Sequence, residues 1–204
     1  PSRASLISGK YVHTHGADRN GMWLREDEPN WVDRLREAGY HTANIGKMHT
    51  DPIRLPCGFD YRLVVENKNY KPSRGDGPDD YDLFLEERGL SRPANLYPET
   101  FDDWWDELQT AVWPLDEDLY PDNFIGRRSV EYIREHDFSQ PLFLWSGFIG
   151  PHDPYDAPES TLERYADVDI PDPVTAPGEL DEKPPRHRRS MEKMDEMRTQ
   201  AAWC

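Results

Sequence analysis

The chain has 204 residues, enough for one domain with a real core, and length alone argues against two. A hydrophobic content of 36% and 19 prolines fit a polar, loop-rich domain better than a bundle or coiled coil, while 7 Trp, 10 Tyr and 7 Phe exclude a disordered composition. The net charge of −16, from 40 acidic and 24 basic residues, repels nucleic acid and anionic membrane, so any anion site has to be a local cationic cluster. The basic residues are 18 Arg and 6 Lys, and the acidic excess reads as solvated surface. Cys57 and Cys204 make no disulfide framework, and no apolar run approaches the ~20 residues of a membrane span. The chain opens Pro1-Ser2-Arg3 without Met and stops at Cys204 after a helical-looking stretch, so it reads as an internal piece of a longer protein.

In chain order, residues 1–10 (PSRASLISGK) form a short helix opened by Pro1 and closed by Gly9. Residues 29–38 place Trp31, Leu35 and Ala38 on one helical face that ends at Gly39. His41 to Ile45 reads as a short strand, which Gly46 turns into a loop carrying Lys47 and His49. Residues 66–80 are turn-rich and read as a surface excursion. Residues 81–120 hold aromatic clusters without clear periodicity (Phe101, Trp104, Trp105, Trp113), an insertion lying over the sheet. Asn123 to His136 is the strongest helix, with Phe124, Val130 and Ile133 at helical spacing and Glu131 and Glu135 outside. Pro141 to Phe148 is the strongest strand, an apolar run of the kind buried on both faces of a parallel sheet. Proline-rich residues 171–185 read as a linker, and 186–202 as a charged helix with Met191, Met194 and Met197 on one side as packing. The expected fold is α/β: a mixed, mostly parallel central sheet flanked by helices and incomplete in this chain. The expected organisation is core (1–65), loop-rich insertion (66–120), core (121–165), then linker and helix (166–204).

Three short loops combine polar density with apolar neighbours: Pro1-Ser2-Arg3 with Lys10, Gly46-Lys47-Met48-His49, and Gly150-Pro151-His152-Asp153-Pro154. The second and third follow strands directly, and ligands of open α/β sheets sit beyond the carboxyl ends of strands. One Arg, two Lys and two His converging there would suit a tetrahedral dianion, with a donor fork, point charges and proton shuttles. Taken singly, each also reads as a solvated or capping residue.

Together they resemble the sulfatases of the alkaline phosphatase superfamily. PSRASLISGK resembles the signature in which a Cys or Ser, one variable residue and Pro-Ser-Arg open a helix. GYHTANIGKMH (39–49) resembles the second signature, and LFLWSGFIGPHDPYDAPE resembles the strand and loop that supply another active-site His. The three occur in the family's order, and the similarity fades beyond about residue 170.

The resemblance implies a nucleophilic formylglycine made from a Cys or Ser two positions before Pro1, outside this chain. It implies that Arg3 holds the formylglycine beside the metal, that Lys10 anchors that region, and that Lys47 contacts a sulfate oxygen. It further implies that His49 contacts the nucleophile's second hydroxyl and that His152 lies near the leaving oxygen. Ser2 lies in the same signature as a helix residue. Asn20 in HTHGADRNG matches an Asn that contacts the transferred group in the branch of choline-sulfatase-like and phosphonate monoester hydrolase enzymes; Asn20-Gly21 as a plain turn is the alternative. His13 and His15 are expected to be structural. The family's divalent cation, usually calcium, would be held by residues outside 1–204, so no metal ligand is assigned here.

The implied partners are a small-molecule or glycan sulfate ester and a formylglycine-generating maturation enzyme, with no nucleic acid and no membrane. The 204 residues alone are expected to be inactive, and turnover above a Lys47→Ala control would contradict that. A phosphonate monoester hydrolase or phosphodiesterase, and a non-catalytic sulfatase-like module, are the alternatives.

Overall fold

The computed structural model describes residues 1–68, 70, 76–93, 110–169, 171, 174, 176–185 and 187–189. Phe101, Trp104, Trp105, the Met191–Met194–Met197 stripe and Cys204 lie outside the described residues. Among the described residues, no helix is long and apolar enough to cross a membrane.

Among the described residues, the α-helices are α1 (Ser2–Ser8), α2 (Val12–His15), α3 (Trp31–Glu37), α4 (Asp80–Glu86), α5 (Pro121–Glu135) and α6 (Glu159–Glu163), with a 3-10 turn at Glu117–Leu119. The strands are β1 (His41–Gly46), β2 (Tyr61–Val64), β3 (Thr110–Val112), β4 (Leu142–Gly147) and β5 (Tyr155–Ala157). Strands β2, β1 and β4 form a parallel sheet in that order, with Gly46 opposite both Val64 and Gly147. A second parallel pair joins β3 to β5.

Side chains of a strand alternate between faces, and the register shows what each face meets. Ile45 and Leu63 lie with Tyr81 and Leu85 of α4 and Phe124 and Ile125 of α5 in one core cluster. The second cluster joins Ala4 and Ile7 of α1, Val32 of α3, Met48 and Phe59, with Phe143 and Trp145 of β4 packed against it. The sheet is therefore covered on both faces, as all-parallel sheets require.

Several expectations change on this framework. The strand buried along its length is β1, which has a neighbour on each side; β4 has one partner among the described residues and is half-buried until Gly147. Helix α5 runs where expected, but Phe124, Ile125 and Ser129 form its buried face and leave Val130 and Ile133 over 40% exposed. In α3 the buried residue is Val32, with Trp31 and Leu35 half-buried and Ala38 exposed. Overlapping apolar stripes share one helical period, and only the neighbouring sheet decides which of them is covered.

The supposed surface excursion 66–80 has buried anchors at both ends: Glu66, Lys68 and Asp79 are all less than 5% exposed. Asp79 caps α4 through the Tyr81 and Asp82 N–H groups, and its other oxygen accepts the Glu66 N–H at 2.7 Å. Arg92 pairs with both Asp79 and Asp82. The capping box explains why a helix begins inside an acidic stretch that lacks apolar periodicity.

Candidate active site

Both strand-following loops leave the same end of the sheet, because β1 and β4 are parallel and end in register at Gly46 and Gly147. The backbones here are too close for side chains: a methyl on Gly147 would strike the Lys47 backbone, and one on Gly46 would strike Gly147. Lys47 N–H donates to the Gly147 carbonyl at 2.7 Å, so the pairing continues one residue past β1 and fixes where Lys47 begins.

Lys47 is 4% exposed, and its ammonium donates to the Asn67 side-chain oxygen. Burial, reinforced by the Arg3 charge, pulls its pKa down to about 8, against the opposing pull of Glu66 and Asp153. Arg3, at the start of α1, also loses basicity through burial, offset in part by Glu66. A guanidinium nevertheless keeps its charge across the working pH range. Arg3, Glu66 and Asp153 thus all lie within electrostatic reach of Lys47: two cations and two carboxylates drawn from four separate segments.

His49 has a left-handed backbone at φ 61, unusual for a residue with a side chain. Its main-chain N–H donates to Glu66 Oε1 at 3.1 Å, and its ring Nδ1 lies 3.0 Å from Glu66 Oε2. The third loop is held from behind by Asp122 in the first turn of α5, whose two oxygens accept the N–H groups of Ile149 (2.7 Å) and Gly150 (3.0 Å). A side chain on Gly150 would collide with the Asp122 carboxylate. His152 stands exposed beyond this anchor, its Nδ1 2.8 Å from the Asp153 carbonyl and 3.1 Å from the Asp153 carboxylate.

The remaining residues singled out in the sequence make their described contacts elsewhere. Lys10 is past the far end of α1 from Arg3, and its ammonium pairs with Glu28. Asn20 is exposed on a turn with Gly21 at φ 79, and no hydrogen bond among the described residues ties it to Lys47 or His49. His15 is buried, accepting the Ala17 N–H at Nδ1 and facing the Ser5 hydroxyl at 2.8 Å through Nε2, an arrangement of a structural histidine. His13 stacks on Tyr11. A groove of about 820 Å³ between α4, α5 and β2 includes none of Arg3, Lys47, His49 or His152.

Sequence reasoning missed Glu66, Asn67 and Lys68, three consecutive residues with three different partners. Glu66 meets His49, Asn67 meets Lys47, and Lys68 forms a buried ion pair with Asp156, four residues past His152. The available signal was a cluster of polar residues immediately after an apolar strand, the placement that drew attention to the other two loops.

Among the described residues, no three His, Cys, Asp or Glu side chains gather as a metal cage. Glu66 spends both oxygens on His49, and Asp153 faces His152. Among the described residues, this site therefore offers no ready set of ligands for a divalent cation.

Residues 1–198 match the family described as Sulfatase. An arylsulfatase of Clostridium perfringens is 33% identical over 188 residues, covering 85% of this chain and 37% of that protein. A choline-sulfatase of Rhizobium meliloti is 28% identical over 202 residues, covering 94% of this chain and 36% of that protein. A phosphonate monoester hydrolase from Silicibacter pomeroyi has a similar structure, with a TM-score of 0.56 at 23% identity over 89% of this chain and 37% of that one, a likeness of fold. The chain therefore spans little more than a third of the length of these curated relatives.

Proposed function

The chain belongs to the sulfatase family, and from that premise we propose that the full-length protein hydrolyses a sulfate monoester at the loops beyond β1 and β4. The observation that carries this reading is the pairing of Arg3 with a buried Lys47 beside two histidine-bearing loops at one end of a parallel sheet. With Glu66 engaged by His49 and Asp153 by His152, a bound dianion would complement the buried ammonium and its neighbouring guanidinium.

The family generally uses a metal ion and a formylglycine. In this reading the cation is calcium, with ligands outside residues 1–204, and the aldehyde is installed by a maturation enzyme on a Cys or Ser before Pro1. The hydrated aldehyde supplies an oxygen nucleophile with a second hydroxyl for release of sulfate.

The chain's own residues supply charge and proton handling. Arg3 orients the reacting centre, and Lys47 donates to a sulfate oxygen. Asn67 holds that ammonium in place, so little reorganisation is needed as charge develops. His152, with Nδ1 turned to Asp153, offers Nε2 to the bridging oxygen and in its protonated form donates the proton that the leaving alcohol needs. His49 takes up a proton at Nε2 during release. The exposure of His152 favours an open leaving-group side that admits a small-molecule or glycan alcohol. Lys10 and Asn20 belong to this reading as outer contacts: Lys10 anchors the α1 region through Glu28, and Asn20 approaches the transferred group.

The direct test compares turnover of 4-nitrophenyl sulfate with that of an aryl phosphonate monoester by the mature full-length protein. Faster sulfate turnover is expected. Faster phosphonate turnover would transfer the assignment to the phosphonate hydrolases of the superfamily, and loss of both would indicate a binding module.

A further inference from the structure

His49 is fixed by one carboxylate at two points. Glu66 Oε1 accepts its main-chain N–H, and Oε2 faces ring Nδ1, so a single side chain holds both the left-handed backbone and the ring plane. Unusual backbone conformations persist where the surroundings over-determine them, and they cluster at functional sites. Glu66 is itself immobilised: its side chain is 4% exposed, its N–H donates to Asp79, and Asp79 is paired with Arg92.

We infer that Glu66 is the positioning residue for His49, and that it sets the imidazole tautomer required for proton uptake. A carboxylate only accepts hydrogen bonds, so Nδ1 carries the hydrogen and the neutral ring keeps its lone pair on Nε2. When that lone pair takes a proton from a hydroxyl at the reaction centre, an O–H bond breaks and an N–H bond forms. The positive charge that appears on the ring then lies 3.0 Å from the Glu66 oxygen. This inference rests on the reading of His49 as a proton acceptor.

Glu66→Gln separates shape from chemistry. Glutamine fills the same space, but it has one accepting oxygen where His49 presents two donors. If that oxygen stays on the main-chain N–H, the amide N–H₂ faces Nδ1 and drives the ring to the opposite tautomer, with hydrogen on Nε2. The experiment is ¹⁵N spectroscopy of the His49 side chain in the full-length protein, with kinetics on 4-nitrophenyl sulfate.

In the unmodified protein, the hydrogen is expected on Nδ1 when the ring is neutral. In Glu66→Gln it is expected on Nε2, with kcat reduced about 10²-fold, the low end for loss of a general base, and KM little changed. In a His49→Ala background, the same change should cost nothing further, because a residue acting through another has no effect once that other is gone. An Nε2–H tautomer in the unmodified protein overturns the inference without any variant, and so does an undiminished kcat in Glu66→Gln. Absence of sulfate turnover in the unmodified protein would instead remove the functional reading, while the tautomer measurement would still decide the role of Glu66.

Discussion

The two loops beyond the sheet are built on opposite principles. The loop after β1 is buried apart from the His49 ring, which is 33% exposed: Lys47 is 4% exposed, and its groups are held by side chains from the 66–67 segment, itself locked by Asp79 and Arg92. The loop after β4 is held at its root by Asp122, and beyond that root His152 is exposed and bonded to its own neighbour. Where charge on a small, invariant group must be met, pre-set donors in a dry pocket give the largest effect. Where the leaving alcohol varies in size, an open wall accommodates more than one partner. On the proposed function, the buried loop would serve the chemistry common to sulfate monoesters and the exposed loop what distinguishes their alcohols.

The strongest way to break that contrast is Lys47→Met in the full-length protein. Loss of a pre-set donor to a developing oxyanion should reduce kcat/KM on an aryl sulfate by about 10²–10³-fold. The same variant should be thermally more stable. Folded Lys47 titrates near 8 against an ordinary value of 10.5, so the penalty for its buried charge is fully present below pH 8 and fades as pH rises from there towards 10.5. Calorimetry at pH 7 should therefore show a gain of about 1 kcal/mol or more. For the unmodified protein, kcat/KM should decline above pH 8 as the ammonium loses its proton, and a flat profile through pH 9 would contradict the role given to Lys47.

A smaller and more selective effect is expected at the open loop. His152→Ala should reduce kcat by about 10²-fold for poor leaving groups, the range for loss of a general acid, and much less for 4-nitrophenol, which needs little protonation. A loss equal for all leaving groups would mean that both loops serve the same step. The smallest effect is expected at Asn20, on its exposed turn. Asn20→Ala should alter stability by less than about 0.5 kcal/mol and lower kcat/KM only slightly, and an unchanged kcat/KM would leave Asn20-Gly21 a plain turn.

Much of this arrangement was legible in the sequence because it is local. Gly46 after an apolar strand, followed by Lys47 and His49, announces a strand-end loop by itself, and Pro151 with His152 does the same after β4. What escaped is non-local. The polar cluster after β2 marks a strand-end loop, but nothing in it shows that Glu66 will be buried against His49, 17 positions earlier in the chain, and its turn-forming neighbours suggest solvent. Helix α4 escaped for a related reason: Asp79 is buried because Arg92 covers its charge, a pairing across 13 positions that periodicity does not register. The buried face of α5 required knowledge of which side meets Ile45 and Leu63, whereas the helix itself followed from spacing alone.

The run Glu66-Asn67-Lys68 behaves as a three-letter reading frame. Its letters meet an imidazole, an ammonium and a carboxylate in turn, each by a complementary interaction. Deleting one residue just upstream would slide Lys68 towards Lys47 and Asn67 towards His49, setting two cations against each other and leaving Asp156 alone in the interior. Length changes in this stretch should therefore be far less tolerated than substitutions in it, the reverse of what holds for ordinary surface connections.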